Sequence, residues 1–239
     1  MKPTAISMKL AAIEPRTFPM GVILGEDCLK MSSEDPDDRS HWDEAPAHEV
    51  TITYPFGLSA MPVTNGQYAC FRPAHRQVVE QRGLTWRTDE PVECVTWDDA
   101  VAFCRWWSEA EGRPYRLPTE AEWECAARCH MDLGLSGMGE LVREWCGDWW
   151  APYPAGPQTD PIGPAAGTVR VIRGGSLTNR GSSLPGDRRA GWCRRRCPVP
   201  TLCLSPAWRH CFVRCLAGKM SGQPPLEQGN RFLAAARLI

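Results

Sequence analysis

The hydrophobic and polar positions of this chain follow different periods in different stretches. In residues 48–54 polar and apolar side chains alternate and several are β-branched, which predicts a half-buried strand. In residues 100–111 the apolar side chains recur near helical spacing, at Val101, Phe103, Cys104, Trp107 and Ala110. This spacing predicts a helix with one buried face, and Gly112 is suited to end it. Strand and helix signals therefore both occur in the first half of the chain.

Residues 115–128 carry the clearest local signals, those of a strand that runs into a helix. Pro118 restricts its own backbone and that of the residue before it, so a helix cannot pass through this point. Thr119 is placed as an N-cap, and Glu122, three residues on, completes a capping box. Glutamates at the start and Arg128 near the end suit the helix dipole. We therefore predict a helix that begins directly after Thr119.

The remaining stretches give weaker predictions. A short helix over residues 67–71, capped by an Asn or Thr, follows a strand end. Residues 72–90 are predicted to be a polar connection, and the Pro- and Gly-rich residues 149–168 to lack regular structure. Residues 169–176 are predicted to be a strand that ends in a tight glycine turn.

Five motifs in order resemble the formylglycine-generating enzyme (sulfatase-modifying factor) family. They are F-x-M-G at residues 18–21, E-x-P-x-H-x-V at 44–50, P-V-T-N-x-Q-Y at 62–68, Y-R-L-P-T-E-A-E-W-E-C-A-A-R at 115–128 and R-V-x-R-G-G-S at 170–176. The resemblance implies an α+β, C-type-lectin-like fold with a small twisted antiparallel sheet, two main helices and much irregular loop. It divides the chain into a lead-in over residues 1–16 and one domain over residues 17–239.

The N-terminus and the cysteines bear on the cellular compartment. The first 18 residues have no apolar run of useful length, and no later stretch approaches the length of a membrane span, so we expect neither signal peptide nor span. A cytoplasmic protein with mostly reduced cysteines follows as an expectation. Five cysteines in apolar stretches are predicted to be small buried core residues: Cys70, Cys94, Cys104, Cys125 and Cys146.

The last five cysteines are crowded together and leave three alternatives open. Their spacing fits no standard zinc pattern, so free thiols, a metal and a disulfide all remain possible there. The residues are Cys193, Cys197, Cys203, Cys211 and Cys215.

Charge is distributed unevenly although the net charge is only −1. Residues 26–49 are strongly acidic, whereas residues 173–215 contain many Arg, no Lys and a single acid, Asp187. Such a block can bind nucleic acid. Alternatively, several of these Arg are buried partners of the acidic N-terminal half, which suits the planar, bidentate pairing of guanidinium groups.

The residues that the resemblance would make catalytic are absent from their places. Enzymes of the family oxidise a substrate cysteine with a copper ion held by two Cys, the first of which follows R-G-G-S and an aromatic residue. Residues 177–184 contain no Cys, and Cys193 comes too late. A three-His iron site, found in relatives that form carbon–sulfur bonds, is not indicated because the His are scattered. Leu141 stands where the family has a calcium-binding Asn, so that site is expected to be absent or rebuilt.

We therefore predict no catalytic residues, no metal and no cofactor. A formylglycine-generating-type oxidase or related sulfur-modifying enzyme is kept as the alternative. Glu120, Glu122, Glu124 and Glu144 are interpreted as helix-start and fold-holding charges rather than acid–base groups.

The segment after R-G-G-S resembles a second group with this domain, the variable proteins of diversity-generating retroelements in bacteria and phages. Leu184 and Arg189 fall on framework positions of that group. The resemblance implies a ligand-binding region over residues 173–215, whose mixture of Arg, Trp and small polar residues is typical of a binding surface. The predicted ligand-binding residues are Thr178, Asn179, Arg180, Ser182, Ser183, Asp187, Arg188, Trp192, Arg194, Arg196 and Trp208.

The expected partner is a protein or cell-surface ligand whose identity the sequence does not give. Nucleic acid is a third interpretation, favoured by the Arg block alone. The plain alternative for this segment is the irregular surface of a homologue that has lost its activity.

Overall fold

The computed structural model describes residues 8–22, 44–136, 138 and 143–174, together with the backbone of residues 195–198, 211–212 and 216–217. Five helices occur in this part of the chain: α1 (Asn65–Phe71), α2 (His75–Gln81), α3 (Trp97–Glu111), α4 (Glu120–Arg128) and α5 (His130–Leu133). The strands in the same part are β1 (Leu10–Ile13), β2 (Arg16–Met20), β3 (His48–Ile52), β4 (Phe56–Ser59), β5 (Arg143–Trp149), β6 (Gln158–Thr159), β7 (Val169–Arg173), β8 (Arg195–Pro198), β9 (Cys211–Phe212) and β10 (Leu216–Ala217).

The described strands form three small sheets with the orders β1-β4-β10, β2-β3-β6 and β8-β7-β5-β9. Most neighbours are antiparallel, and β3·β6 and β5·β9 are the parallel pairs of this part. Strands from the beginning, middle and end of the chain therefore meet in the same sheets. This mixture of small, mostly antiparallel sheets with helices is the α+β arrangement that the family resemblance implied.

Local sequence signals fix where three of the helices begin. The side chains of Thr64, Thr96 and Thr119 cap α1, α3 and α4, each in a reciprocal capping box. Helix α3 ends at Gly112, whose backbone is left-handed with φ of 68°. The predicted start of α4 and the predicted end of α3 are confirmed, and these two are the longest helices described.

Large aromatic side chains and helix α4 fill the core. Trp107, Trp123, Tyr68 and Phe103 are almost completely buried. All residues of α4 from Glu120 to Ala127 are buried, so this helix lies at the centre of the domain. The three glutamates in α4 are thus removed from water, and each needs partners.

Two expectations about residues 65–90 were wrong in part. Helix α2 lies inside residues 72–90, which the sequence predicted to be a polar connection. Its pattern gives little signal because His75 and Val79 are its buried residues and no side chain caps its start. Cys70 is exposed, whereas Cys94, Cys104, Cys125 and Cys146 are buried as predicted.

Two further elements occur where no regular structure was predicted. Strand β1 lies within the expected lead-in of residues 1–16; it pairs with β4, and its Ile13 is fully buried. The packed domain therefore includes β1. Strand β6 lies within residues 149–168 and pairs with β3 over only two residues.

Candidate binding surface and its anchor

Strands β7 and β8 determine where the candidate ligand-binding segment joins the domain. They are antiparallel neighbours, with Ile172 opposite Arg195 and Val169 opposite Pro198. The end of β7 at Arg173 and the start of β8 at Arg195 are therefore close together in the sheet. Residues 174–194, which hold most of the predicted ligand-binding residues, connect these two strand ends.

The structure describes few of the predicted site residues themselves. Arg196 lies in β8, where its backbone pairs with Val171. Cys197 and Cys211 lie in β8 and β9. The other predicted ligand-binding residues and terminal cysteines lie outside the described residues, so their assignment stays a prediction; they are Thr178, Asn179, Arg180, Ser182, Ser183, Asp187, Arg188, Trp192, Arg194 and Trp208, with Cys193, Cys203 and Cys215.

The end of β7 is fixed by a buried guanidinium group surrounded by carboxylates. Arg173 is only 1% exposed, and its Nη1 donates to Glu44 Oε1 at 2.6 Å. Its Nη2 donates to Glu124, and its Nε lies 3.8 Å from Glu120 Oε1. The guanidinium carbon lies 5.2 Å from the ring centroid of Trp123. Arg173 thus connects the start of the candidate segment to α4 and to Glu44.

The electrostatics of this cluster favour a permanently charged Arg173. Burial alone would lower the pKa of Arg173, but the neighbouring carboxylates outweigh it and hold that pKa well above its usual value. The carboxylates have further donors: Tyr153 donates to Glu120 at 2.7 Å, and the Gly21 amide donates to Glu124 at 3.0 Å. Most polar atoms of this network are hydrogen-bonded, whereas Arg173 Nε has no hydrogen-bond partner among the described residues.

A second buried ion pair involves Glu122, the middle glutamate of α4. Arg116 donates to Glu122 through both Nη atoms, at 2.7 and 2.8 Å, and Tyr54 donates to the same carboxylate at 2.8 Å. Burial would raise the pKa of Glu122, but Arg116 outweighs this and lowers it. Glu144 accepts from Trp123 Nε1 at 2.5 Å. All four glutamates are therefore buried and hydrogen-bonded within the fold, and their interpretation as fold-holding charges rather than acid–base groups stays a prediction.

The Arg173–Glu44 ion pair supports, for this one arginine, the interpretation that Arg residues of the block are buried partners of the acidic N-terminal half. It joins the acidic N-terminal half to the Arg block. No local motif identified Glu44 as the partner, since 129 residues separate the two. The asymmetry of charge along the chain was the signal that pointed to it.

Arg170, also in β7, is held by aromatic rings. Its guanidinium carbon lies 3.6 Å from the ring centroid of Trp97 and 3.4 Å from that of Trp149. Its Nη1 donates to Gly147 O at 2.8 Å. Burial lowers the pKa of Arg170 to about 10. The sequence did not single out this contact.

The described residues show no donor set for a metal. Within them, no three His, Cys, Asp or Glu side chains come together in a suitable arrangement. The copper-binding thiolates of the family have no counterpart in residues 177–184 of the sequence. Across the helices of the described part, none is long and apolar enough to cross a membrane.

Residues 13–132 match the family described as the sulfatase-modifying factor enzyme 1-like domain. The chain is 25% identical to a formylglycine-generating enzyme of Thermomonospora curvata, with 90% of this chain and 95% of that protein covered. It is 28% identical to a formylglycine-generating enzyme of Streptomyces coelicolor, with 56% of this chain and 70% of that protein covered.

The fold is similar to that of the solved Treponema denticola variable protein 1. The TM-score is 0.56 at 18% identity, with 83% of this chain and 92% of that chain covered. This likeness concerns the fold, and it confirms the expected C-type-lectin-like architecture. The family match covers half of the chain and by itself leads to one conclusion. The chain belongs to the sulfatase-modifying factor enzyme 1-like domain family.

Proposed function

We propose that this chain is a non-enzymatic ligand-binding protein, the variable protein of a diversity-generating retroelement. It presents a diversified surface within residues 173–215 on the scaffold formed by the rest of the domain. The observation that carries the proposal is the attachment of residues 174–194. The strands that flank them, β7 and β8, are neighbours in one sheet, and β7 ends at the buried Arg173.

The partners of Arg173 explain how such a surface could change without loss of the fold. Glu44, Glu120 and Glu124 all lie outside the segment, in the scaffold. Among the described residues, the acidic partners of Arg173 therefore all come from the scaffold. A scaffold whose stability does not depend on the displayed residues is what a variable binding surface requires.

The proposed partner is a protein or a cell-surface ligand. Trp192 and the arginines would supply anchoring contacts, while Thr178, Asn179 and Ser182 would adapt to the ligand. Tight binding of DNA or RNA that weakens steeply with added salt would instead support the nucleic-acid interpretation.

The proposal is tested by single alanine substitutions at Thr178, Asn179, Ser182 and Trp192. We expect each variant to keep its melting temperature within about 2 °C of the parent, because displayed residues do not hold the core together. The matched control is Trp107→Ala, which removes a buried ring and should destabilise the protein by about 3–5 kcal/mol. If Trp192→Ala destabilises as much as Trp107→Ala, Trp192 is a core residue and the proposal is wrong.

A formylglycine-generating-type oxidase is the second candidate, because the relatives named above carry that name. It predicts that the purified chain binds copper and converts the cysteine of a substrate peptide to an aldehyde, detected by mass spectrometry. Loss of both properties in Cys193→Ala would establish this alternative. We expect no conversion by the parent chain, since residues 177–184 provide no thiolate.

A further inference from the structure

Two adjoining cavities lie on the scaffold, in the part of the chain that the structure describes fully. Their volumes are about 540 and 460 Å³, within the range of small-molecule and side-chain binding sites. Asp148, Asp160 and Ile162 line both of them, so the cavities meet at these residues. We call the two cavities together the Asp160 cleft.

Aromatic and aliphatic side chains form most of the walls. Tyr54, Trp97 and Leu117 line the first cavity, while Trp149 and Tyr153 line the second. Ile162, at the junction of the two, is 51% exposed. Such walls favour a ligand with an apolar portion.

Asp160 is held rigidly by main-chain and hydroxyl groups. The Thr53 amide donates to Asp160 Oδ1 at 2.8 Å, and Thr53 Oγ1 donates to Oδ2 at 2.6 Å. The Asp160 amide itself donates to Thr51 O at 2.9 Å, and its backbone is left-handed with φ of 48°. Both bonds to the carboxylate come from neutral donors, so they fix its position without neutralising its charge.

The other charged groups of the first cavity do not neutralise Asp160 either. The positive charge of Arg116 is matched by Glu122 through two hydrogen bonds. Asp148 is buried and accepts from the Glu120 amide at 2.7 Å. Arg170 already stacks on the rings of Trp97 and Trp149, so the attraction of the cleft for an organic cation comes from the charge of Asp160 rather than from these indole rings.

We propose that the Asp160 cleft binds the basic side chain of a partner peptide, with the ammonium or guanidinium group at Asp160. The methylene stem of such a side chain would lie along Tyr54 and Trp97. This would be a second binding site, formed by scaffold residues and separate from the displayed segment.

The test uses three capped amino acids as probes: N-acetyl-lysine, N-acetyl-norleucine and N-acetyl-glutamate methylamides. Binding to the full chain is followed by NMR through the indole N–H signals of Trp97 and Trp149. We expect saturable shifts with the lysine probe, and binding of the norleucine probe roughly twofold to fivefold weaker because it lacks the charge. Raising the salt from about 20 mM to about 500 mM should weaken lysine binding.

Two pairs of variants assign the binding to the cleft. Asp160→Asn should weaken lysine binding about as much as removal of the probe's charge, whereas Asp89→Asn, at an exposed position outside the cleft, should not. Ile162→Arg should abolish binding by placing a cation at the junction of the cavities. Met61→Arg, at a residue 54% exposed and outside the cleft lining, is its control and should bind normally.

Three results would overturn the proposal. They are equal binding of the lysine and norleucine probes, unchanged lysine binding in Ile162→Arg, and a preference for the glutamate probe. Because both Ile162 and Met61 are exposed, their variants keep the test informative even if Asp160→Asn fails to fold.

Discussion

Replacement of Arg173 by Met tests the anchor on which the candidate surface rests. The side chains of its partners Glu44, Glu120 and Glu124 are only 7%, 6% and 2% exposed. Removing one partner of a buried ion pair costs about 3–5 kcal/mol, because the remaining charge is left in a low-dielectric interior. Arg128 still pairs with Glu124 in the variant. We therefore expect the free energy of unfolding to fall by an amount within this range, although Arg173 has three acidic partners.

The pH dependence of this loss provides an internal check. A carboxylate that loses its cation can take up a proton. Protonation costs about 1.4 kcal/mol for each unit by which the pH exceeds the usual Glu pKa of about 4.3. The folded variant then binds more protons than its unfolded chain, so its stability rises as the pH falls. The destabilisation by Arg173→Met should therefore shrink by about 2–3 kcal/mol between pH 7 and pH 5.

Urea denaturation followed by Trp fluorescence measures these free energies of unfolding. Arg113→Met is the control, because Arg113 pairs with Glu111 in an exposed ion pair and should contribute about 1 kcal/mol or less. In the double variant with Glu44→Gln the loss should be smaller than the sum of the single losses, by about 1–2 kcal/mol. A loss for Arg173→Met no larger than for Arg113→Met would refute the reasoning, as would strict additivity with Glu44→Gln.

Two further predictions concern stability. Thr119→Ala removes the hydroxyl that accepts from the Glu122 amide at 3.2 Å, and it should lower the free energy of unfolding, measured by urea denaturation, by about 1 kcal/mol. Thr119→Ser keeps a hydroxyl and should retain most of that stability. Equal losses in the two variants would contradict the capping role. Burial lowers the pKa of His75 below its usual 6.5, so the free energy of unfolding should fall as the pH drops below about 6.5. His75→Gln should flatten this slope, and an unchanged slope would show that another group causes it.

Local sequence signals predicted the parts of the fold that depend on neighbouring residues. Pro118, Thr119 and Glu122 specify the start of α4 within five positions of one another, and the structure has the helix where they predict it. Gly112 ends α3 for an equally local reason, its left-handed backbone. Such features can be predicted because their physical causes lie within one helical turn.

Features that depend on distant contacts were not predictable in the same way. The Glu44–Arg173 pair spans 129 residues, and only the uneven charge along the chain suggested it. The Asp160 cleft combines residues from 20 to 164, and only the packing of the fold brings the motif residues Arg116, Leu117 and Thr119 beside Asp160. Helix α2 gave no periodic signal because few of its residues are buried.

The central claim is that the segment following Arg173 is a displayed surface. The most direct test is a pooled substitution library across residues 178–209, scored for folding alone by protease resistance, with residues 116–128 and 173–174 as the intolerant reference. The account predicts that most positions of residues 178–209 accept almost any side chain while the reference positions do not. If Cys193, Arg194 and their neighbours prove as intolerant as the reference, the segment is structural or metal-bound, and the display function is contradicted.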